Sequence, residues 1–189
     1  ESHQVQDRAH DTILKKLDND PEWFLSLLND SKANLSAKSY QKYFETAVSL
    51  YAEDQDIYLR RAIEASYAKF KGNQMFHGNT DLSLDKVVDV IRYFASSEKV
   101  TNLYKVKLMK LMWYADALAY KTRGFAITGL VYRALPMGAV PEGHNSIIDL
   151  KDVPCEEVDI GETNSYHFSL SGNQSFTALT KGDMNILDV

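Results

Sequence analysis

The stretch that decides the fold lies at residues 101–124 and reads TNLYKVKLMKLMWYADALAYKTRG. When it is wound at about 100° per residue, its lysines at 107, 110 and 121 fall in one narrow polar stripe with Tyr114, and apolar side chains cover nearly all of the remaining girth. The pattern therefore predicts a central helix that is mostly buried. Gly124 is well placed to end this helix. Lys121 and Arg123 lie in its last turn, where positive charges interact favourably with the negative end of the helix dipole.

One acidic residue, Asp116, falls on the apolar face of this predicted helix. A carboxylate among apolar side chains holds a proton more readily unless it is paired, so a catalytic role is one hypothesis. The alternative is structural, because a buried carboxylate needs donors, and the turn at Thr128 and Gly129 offers backbone N–H groups and a hydroxyl. We favour the structural interpretation, since buried acids are more often hydrogen-bonded than catalytic.

Helical periodicity also extends over the residues that precede this stretch. It predicts helices at residues 4–17 and 21–29, and an antiparallel pair of helices over residues 36–70 with a polar turn at 53–56. Residues 71–80 are rich in turn formers, which is typical of a linker. Ser83 then caps another predicted helix. We therefore expect a helical spacer or oligomerisation region at residues 1–75 and a separate domain at residues 81–189.

After Gly124 the apolar period changes from helical to alternating. It predicts a strand at 127–135, a turn-rich loop at 136–141, a short helix at 145–150 and a hairpin at 156–170 that turns at 161–164. Thr180 and Asp183 have the spacing of a capping box that opens a last helix, which we expect the end of the chain to truncate. The expected fold class is α+β and predominantly α-helical, with the N-terminal helical spacer followed by a helical domain that carries a small antiparallel β-sheet.

Composition narrows the classes of function. The chain has 189 residues, a single cysteine and a formal net charge of −5. One cysteine excludes an internal disulfide and a cysteine-rich zinc site, and no apolar run has the length of a membrane helix. We therefore expect a cytoplasmic protein without a membrane partner.

Charge is distributed unevenly along the chain. Residues 73–124 carry eight basic and five acidic side chains, whereas residues 125–189 carry three and nine. Either the two segments fold against each other, or the charges form solvated faces.

Two constellations that would suggest an enzyme are weak. Cys155 with His144 and either Asp149 or Asp152 would resemble a thiol protease, but the acidic surroundings disfavour a thiolate and no nucleophile motif is present. His144, His167 and Asp149 lack the spacing of a metal site. We therefore expect no catalysis, no cofactor and no metal.

A nucleic-acid interface is a third alternative. The lysine stripe could bind phosphates while Trp113 and Tyr114 stack on bases. Against this, the isoelectric point lies near 5.5, and Trp113 is expected in the core of the predicted helix.

The motifs of the second part follow one another in order: KLMKLMWYAD at 107–116, Gly124, ITG at 127–129, YRA at 132–134 and PMGAVP at 136–141. This pattern resembles the Panacea, or SocA-like, antitoxin domain, which GepA-type phage-associated proteins share. The resemblance is strong over residues 103–141 and extends over 83–189. Two positions depart from the family pattern: Met137 stands where an aromatic residue is common, and Ala139 replaces the usual loop proline.

The resemblance implies a labile antitoxin of a type II toxin–antitoxin system, which neutralises a cognate protein toxin by direct contact. Because one member of the family also delivers its toxin to an energy-dependent protease, a proteolytic adaptor is an alternative. Another is a DNA-associated transcriptional regulator whose helix-turn-helix lies outside this chain. The residues expected to contact the partner are Lys110, Tyr114, Pro136, Met137, Gly138, Val140 and Pro141. Those expected to hold the motif together are Trp113, Asp116, Thr128, Gly129 and Tyr132.

Overall fold

The computed structural model describes residues 7–160 and 163–188. By its internal contacts the chain divides into two compact units, and the division falls between Tyr58 and Leu59. No described helix is both long and apolar enough to cross a membrane.

The first unit is helical. α1 covers Arg8–Asn19, α2 covers Pro21–Asp30, and a 3-10 turn at Lys32–Asn34 leads to α3, which covers Ala37–Tyr67. Asp20 caps α2, because its side chain accepts a hydrogen bond from the backbone N–H of Trp23 at 2.9 Å. The predicted helix at 21–29 is thus confirmed. Of the helix predicted at 4–17, residues 4–6 lie outside the described residues.

α3 runs without interruption through residues 53–56, so the predicted antiparallel pair of helices over residues 36–70 is wrong. The stretch Glu53-Asp54-Gln55-Asp56 is polar, but it contains neither glycine nor proline. Polar residues on the solvated side of a helix do not end it, so a polar stretch alone is weak evidence of a turn. From Leu59 onward α3 belongs to the second unit, in which Ile63 and Tyr67 are buried.

α5, at Lys105–Arg123, is the central element of the second unit. α4 at Leu84–Ser96 and α7 at Lys181–Leu187 pack against it, and the short α6 at His144–Ile148 adds to the same core. Three predicted helix ends are confirmed: Ser83 caps α4, Gly124 ends α5 with φ at +83°, and Thr180 and Asp183 form a capping box at α7. The side chains that are fully buried include Val87, Val90, Ile91, Leu108, Met112, Ile127, Ile147, Leu150 and Phe168.

Two separate two-stranded antiparallel sheets complete the described part of the second unit. β1 (Tyr132–Leu135) pairs with β2 (Gly138–Pro141), and β3 (Cys155–Ile160) pairs with β4 (Thr163–Phe168). The second pair confirms the hairpin predicted at 156–170, although turn residues 161 and 162 lie outside the described residues. The predicted fold class, α+β and predominantly helical, is confirmed, with two small sheets where one was expected.

The segment between α5 and β2 differs from its prediction in detail. The strand predicted at 127–135 begins only at Tyr132, and the loop predicted at 136–141 is the turn and second strand of a hairpin. Residues 127–131 are buried, and several of their backbone groups hydrogen-bond to side chains and backbone of other elements. These residues are therefore not part of β1.

Residues 71–80, which the sequence suggests are a linker, belong to the second unit and are hydrogen-bonded to other parts of it. The backbone N–H of Ala126 donates to the carbonyl of Gly78 at 2.8 Å, and the Thr80 hydroxyl donates to the carbonyl of Ala126 at 2.9 Å. The side-chain amide of Asn79 donates to the carbonyl of Gly124 at 3.0 Å. The division between the compact units therefore falls inside α3 and not in this segment, while the role of residues 1–75 as a spacer or oligomerisation region stays a prediction.

Candidate functional site

Asp116 is the centre of a buried hydrogen-bond cluster that joins α5 to the segment after it. Its Oδ1 accepts from the backbone N–H groups of Ile127 at 2.8 Å and Thr128 at 2.9 Å. Its Oδ2 accepts from the hydroxyls of Thr128 and Tyr132, the latter at 2.8 Å. The side chain is only 5% exposed, so four donors replace the water that a charged carboxylate loses on burial.

Gly129 fits the same joint because it carries no side chain. Its φ is +73°, and a Cβ atom added there would lie 2.4 Å from the carbonyl oxygen of Asp81 and 2.6 Å from that of Thr80. Beside it, the carbonyl of Thr128 accepts from the backbone N–H of Ser83 at 3.0 Å. The segment 127–131 is therefore held between α5 and the residues that lead into α4.

We expect Gly129→Ala to lower the free energy of unfolding by about 2 kcal/mol, because the added Cβ meets fixed backbone as well as an unfavourable φ. Gly143→Ala is the matched control, since Gly143 has the same φ of +73° and open space where its Cβ would lie. The control should show only the strain of the backbone, about 1 kcal/mol. Urea denaturation of both variants checks this, and equal losses would argue against close packing at Gly129.

The base of the β1–β2 hairpin is fixed by a second set of contacts. The hydroxyl of Tyr67 donates to the carbonyl of Glu142 at 2.9 Å. The carboxylate of Glu142 accepts from Lys69 Nζ at 2.6 Å and from Arg133 Nη2 at 2.9 Å. The hydrogen bond from Lys69, followed by that from Arg133, lowers the pKa of Glu142 even though desolvation opposes it. Burial, and then the charge of Asp116, raises the pKa of Tyr132 well above its usual range, so its hydroxyl stays a donor.

The tip of the hairpin is exposed and lies beside the outer side of α5. Met137 is 70% exposed and Leu135 is 45% exposed. Gly138 approaches the stem of Lys110, since a Cβ atom at Gly138 would lie 3.4 Å from Lys110 Cε. On α5, Tyr114 is 61% exposed and its ring stacks edge-to-face on Trp113, with ring centroids 4.9 Å apart. We call these residues, Lys110, Trp113, Tyr114, Leu135 and Met137, the hairpin face.

Two of the sequence-predicted site residues lie elsewhere than expected. Pro141 is buried opposite Tyr132 at the base of the hairpin, so it is not available to a partner. Trp113 is 38% exposed and not in the core, because the buried side of α5 is a narrower stripe than the sequence suggests. Of the other expected partner-binding residues, the exposed ones are Lys110, Tyr114, Pro136 and Met137, and the half-buried ones are Gly138 and Val140.

The residues of the rival constellations are engaged in other contacts. His144 Nδ1 lies 3.3 Å from the carbonyl oxygen of Pro141, and the ring of His167 packs on Tyr104 with centroids 5.1 Å apart. Burial raises the pKa of the half-buried Cys155 thiol, and the charge of Asp149 adds to this. A raised thiol pKa lowers the fraction of thiolate, which is the nucleophilic form.

Two buried acids in the second unit were missed by the sequence analysis. Asp183 was assigned only to a helix cap, yet its Oδ1 lies 2.6 Å from Arg123 Nη2 and its Oδ2 lies 3.3 Å from Lys86 Nζ. Burial alone would raise its pKa, but hydrogen bonds from Thr180 and Arg123 outweigh it and lower the pKa to about 2. These pairs join the basic segment 73–124 to the acidic segment 125–189.

Asp89 is the other missed acid. It is 4% exposed, and its Oδ2 accepts from the backbone N–H of Ala178 at 2.8 Å while Oδ1 accepts from Arg92 at 3.1 Å. A signal was present, because Asp89 lies among Val87, Val88 and Val90 in the same way that Asp116 interrupts an apolar face.

Comparison with known protein families gives a match over the C-terminal part of the chain, which includes Asp116 and the β1–β2 hairpin. Residues 108–189 match the family model described as "Antitoxin SocA-like, Panacea domain". The resemblance inferred from the motifs is confirmed for this region. No curated protein and no solved structure matches the chain significantly.

Proposed function

From the Panacea domain of SocA-like antitoxins at residues 108–189, we propose that this chain is the antitoxin of a type II toxin–antitoxin pair. It neutralises a protein toxin by binding it directly. The family match supports a role of the toxin–antitoxin type. The observation that supports direct binding is the exposed hairpin face, which includes residues of the motifs at 107–116 and 136–141.

The hairpin face has the chemistry of a protein-binding surface. It combines the exposed aromatic residues Trp113 and Tyr114 of α5 with the exposed Met137 of the hairpin, whose neighbour Gly138 approaches Lys110. Aromatic residues carry much of the binding energy at protein interfaces, and exposed apolar groups cost little to desolvate. Lys110 adds a positive charge and a long apolar stem at the edge.

Rigidity at the base of the hairpin favours tight binding. Asp116 holds Tyr132 at the start of β1, and Glu142 just after β2 is held by Tyr67, Lys69 and Arg133. A surface that is ordered before binding loses less conformational entropy when a partner docks.

The contacts of Asp116 favour binding over catalysis. Both carboxylate oxygens accept hydrogen bonds from within the protein, and the side chain is buried. A general base needs an oxygen that can reach a substrate proton. We therefore infer that the domain acts without catalysing a reaction.

Coexpression tests the proposed function. The chain is expressed with the product of the neighbouring reading frame, which should arrest growth when expressed alone. We expect growth to be restored and the two proteins to copurify. Arrest that persists with the chain stably present would contradict the proposal.

Within this assay we expect Met137→Asp to weaken the complex at least tenfold, which corresponds to about 1.4 kcal/mol, because it replaces the exposed apolar side chain at the hairpin tip with a charge. The melting temperature should change by no more than about 2 °C, since Met137 is 70% exposed. Met75→Asp is the matched control, as Met75 is 85% exposed and lies outside the hairpin face. Full neutralisation by the Met137 variant would exclude the hairpin tip from the interface.

A further inference from the structure

A second apolar surface, which shares Tyr114 with the hairpin face, lies on α5 where the helix is bordered by the ends of α4 and α7. A groove of about 230 Å³ runs there, and we call it the α5 groove. Leu111, Tyr114 and Leu118 contribute from α5, and Phe94 and Ile186 from its neighbours. This volume is of side-chain size, because pockets for drug-sized ligands occupy roughly 300–1,000 Å³.

Three of the α5 residues that line the groove belong to a regular stripe, which continues for one turn beyond them at each end. Lys107, Leu111, Tyr114, Leu118 and Lys121 recur at alternating spacings of four and three residues, so they lie along one side of the helix. The stripe is apolar in its middle and cationic at both ends. The two leucines are half-buried, whereas the tyrosine and both lysines are exposed.

The positive charge of this stripe is not balanced by α5 itself. The one acid on α5, Asp116, lies on its buried side. Lys107 donates to the backbone carbonyl of Thr101, which carries no net charge, and Lys121 makes no ion pair with any residue that the structure describes. Lys99 and Asp188 both line the groove, and Lys99 donates to the carbonyl of Asp188 at 3.0 Å. The charges of this cation and this acid offset each other, so the excess positive charge comes from Lys107 and Lys121.

We propose that the α5 groove binds an amphipathic helical segment of a protein partner, with apolar anchors in the middle and carboxylates near both ends. An amphipathic helix that lies in a groove presents anchors at i, i+3 or i+4 and i+7, and this spacing matches that of the α5 stripe. Carboxylates at the ends of the segment would face Lys107 and Lys121. A nucleic acid fits less well, because the walls are apolar and the isoelectric point is near 5.5.

This inference deepens the proposed function and rests on it only in taking the partner to be a protein. Its test does not need the toxin. The probe is a phage-displayed library of helical peptides, selected against the whole chain. The selected peptides are then synthesised, and their affinity is measured by fluorescence anisotropy at low and high salt.

We expect selected peptides to combine apolar residues at helical spacing with Asp or Glu at both ends. Leu118→Glu should weaken their binding at least tenfold. Because Leu118 is half-buried, the double variant Lys107→Glu with Lys121→Glu tests the groove at exposed positions, and it should weaken binding and reverse its salt dependence. Lys181→Glu is the control, because it reverses one lysine charge at the exposed start of α7, outside the groove. This variant should bind the peptides normally.

Several results would overturn the inference. The library could yield no enriched peptide, or it could yield basic peptides. The selected peptides could also bind the Leu118→Glu variant normally but fail to bind Met137→Asp. If sedimentation velocity shows that the chain self-associates and that Leu118→Glu abolishes this, the groove belongs to a second copy. Binding of acidic peptides without neutralisation in the coexpression assay would support the α5 groove as a binding site and refute the proposed function. Neutralisation without peptide binding would support the proposed function and refute the α5 groove.

Discussion

Asp116→Ala is expected to lower the free energy of unfolding by about 3 to 4 kcal/mol, the largest loss of any single substitution considered. Removal of the carboxylate leaves two backbone N–H groups and two hydroxyls without their acceptor inside the protein. Each buried unsatisfied donor costs about 1 to 3 kcal/mol. Some of this cost is recovered because the hydroxyls of Thr128 and Tyr132 can rotate toward other acceptors. Urea denaturation at neutral pH measures the loss.

Asp116→Asn is the matched control. It keeps the shape and one acceptor oxygen for the two backbone donors, so we expect about half of the loss. In the coexpression assay, Asp116→Ala should lower stability and neutralisation together, because the hairpin loses its attachment to α5. A variant that melts normally yet fails to neutralise the partner would place Asp116 in the functional site.

The second large effect concerns Asp183. Asp183→Ala should cost about 3 kcal/mol at neutral pH, because it leaves Arg123 and Lys86 without their carboxylate at the junction of α4, α5 and α7. The two cations are 19% and 26% exposed, so water offsets part of the cost and the loss stays near the lower end of the range for buried pairs. Thermal unfolding followed by circular dichroism checks this value.

The same carboxylate makes stability depend on acidity. Its pKa is about 2 in the folded chain and 3.8 in its ordinary state, so its contribution is present above about pH 4 and is lost as the pH falls toward 2. The difference corresponds to about 2 kcal/mol. Between pH 5 and pH 2 the parent chain should therefore lose about 2 kcal/mol more than Asp183→Asn does. Asp152→Asn, at an exposed turn, is the control, and it should keep the acid sensitivity of the parent.

Local features of the sequence predicted the elements around α5 well. The structure contains the helix predicted at 105–123, its left-handed cap at Gly124 and the capping box at Thr180. Each of these depends on residues that lie within a few positions of one another. The contact between Asp116 and Thr128 was also within reach of sequence reasoning, because the partner lies only twelve residues away.

The features that were missed depend on residues far apart in the chain. Arg123 and Asp183 are sixty positions apart, and no local pattern pairs an acid in a helix cap with a cation at the end of another helix. Trp113 was misplaced for a related reason. A helical wheel orders side chains around the axis, but the width of the buried side depends on which elements pack there, and only the fold decides this.

The three buried aspartates of the second unit, Asp89, Asp116 and Asp183, carry a consequence for how the domain can evolve. Each holds a segment that lies away from the hairpin tip. Among the residues that the structure describes, no hydrogen bond connects Pro136 or Met137 to any of the three. Substitutions at the tip are therefore free to accumulate without loss of folding, while the aspartates constrain the residues around them. If the hairpin face binds the toxin as proposed, this separation would let the domain change its partner through substitutions at a few exposed positions.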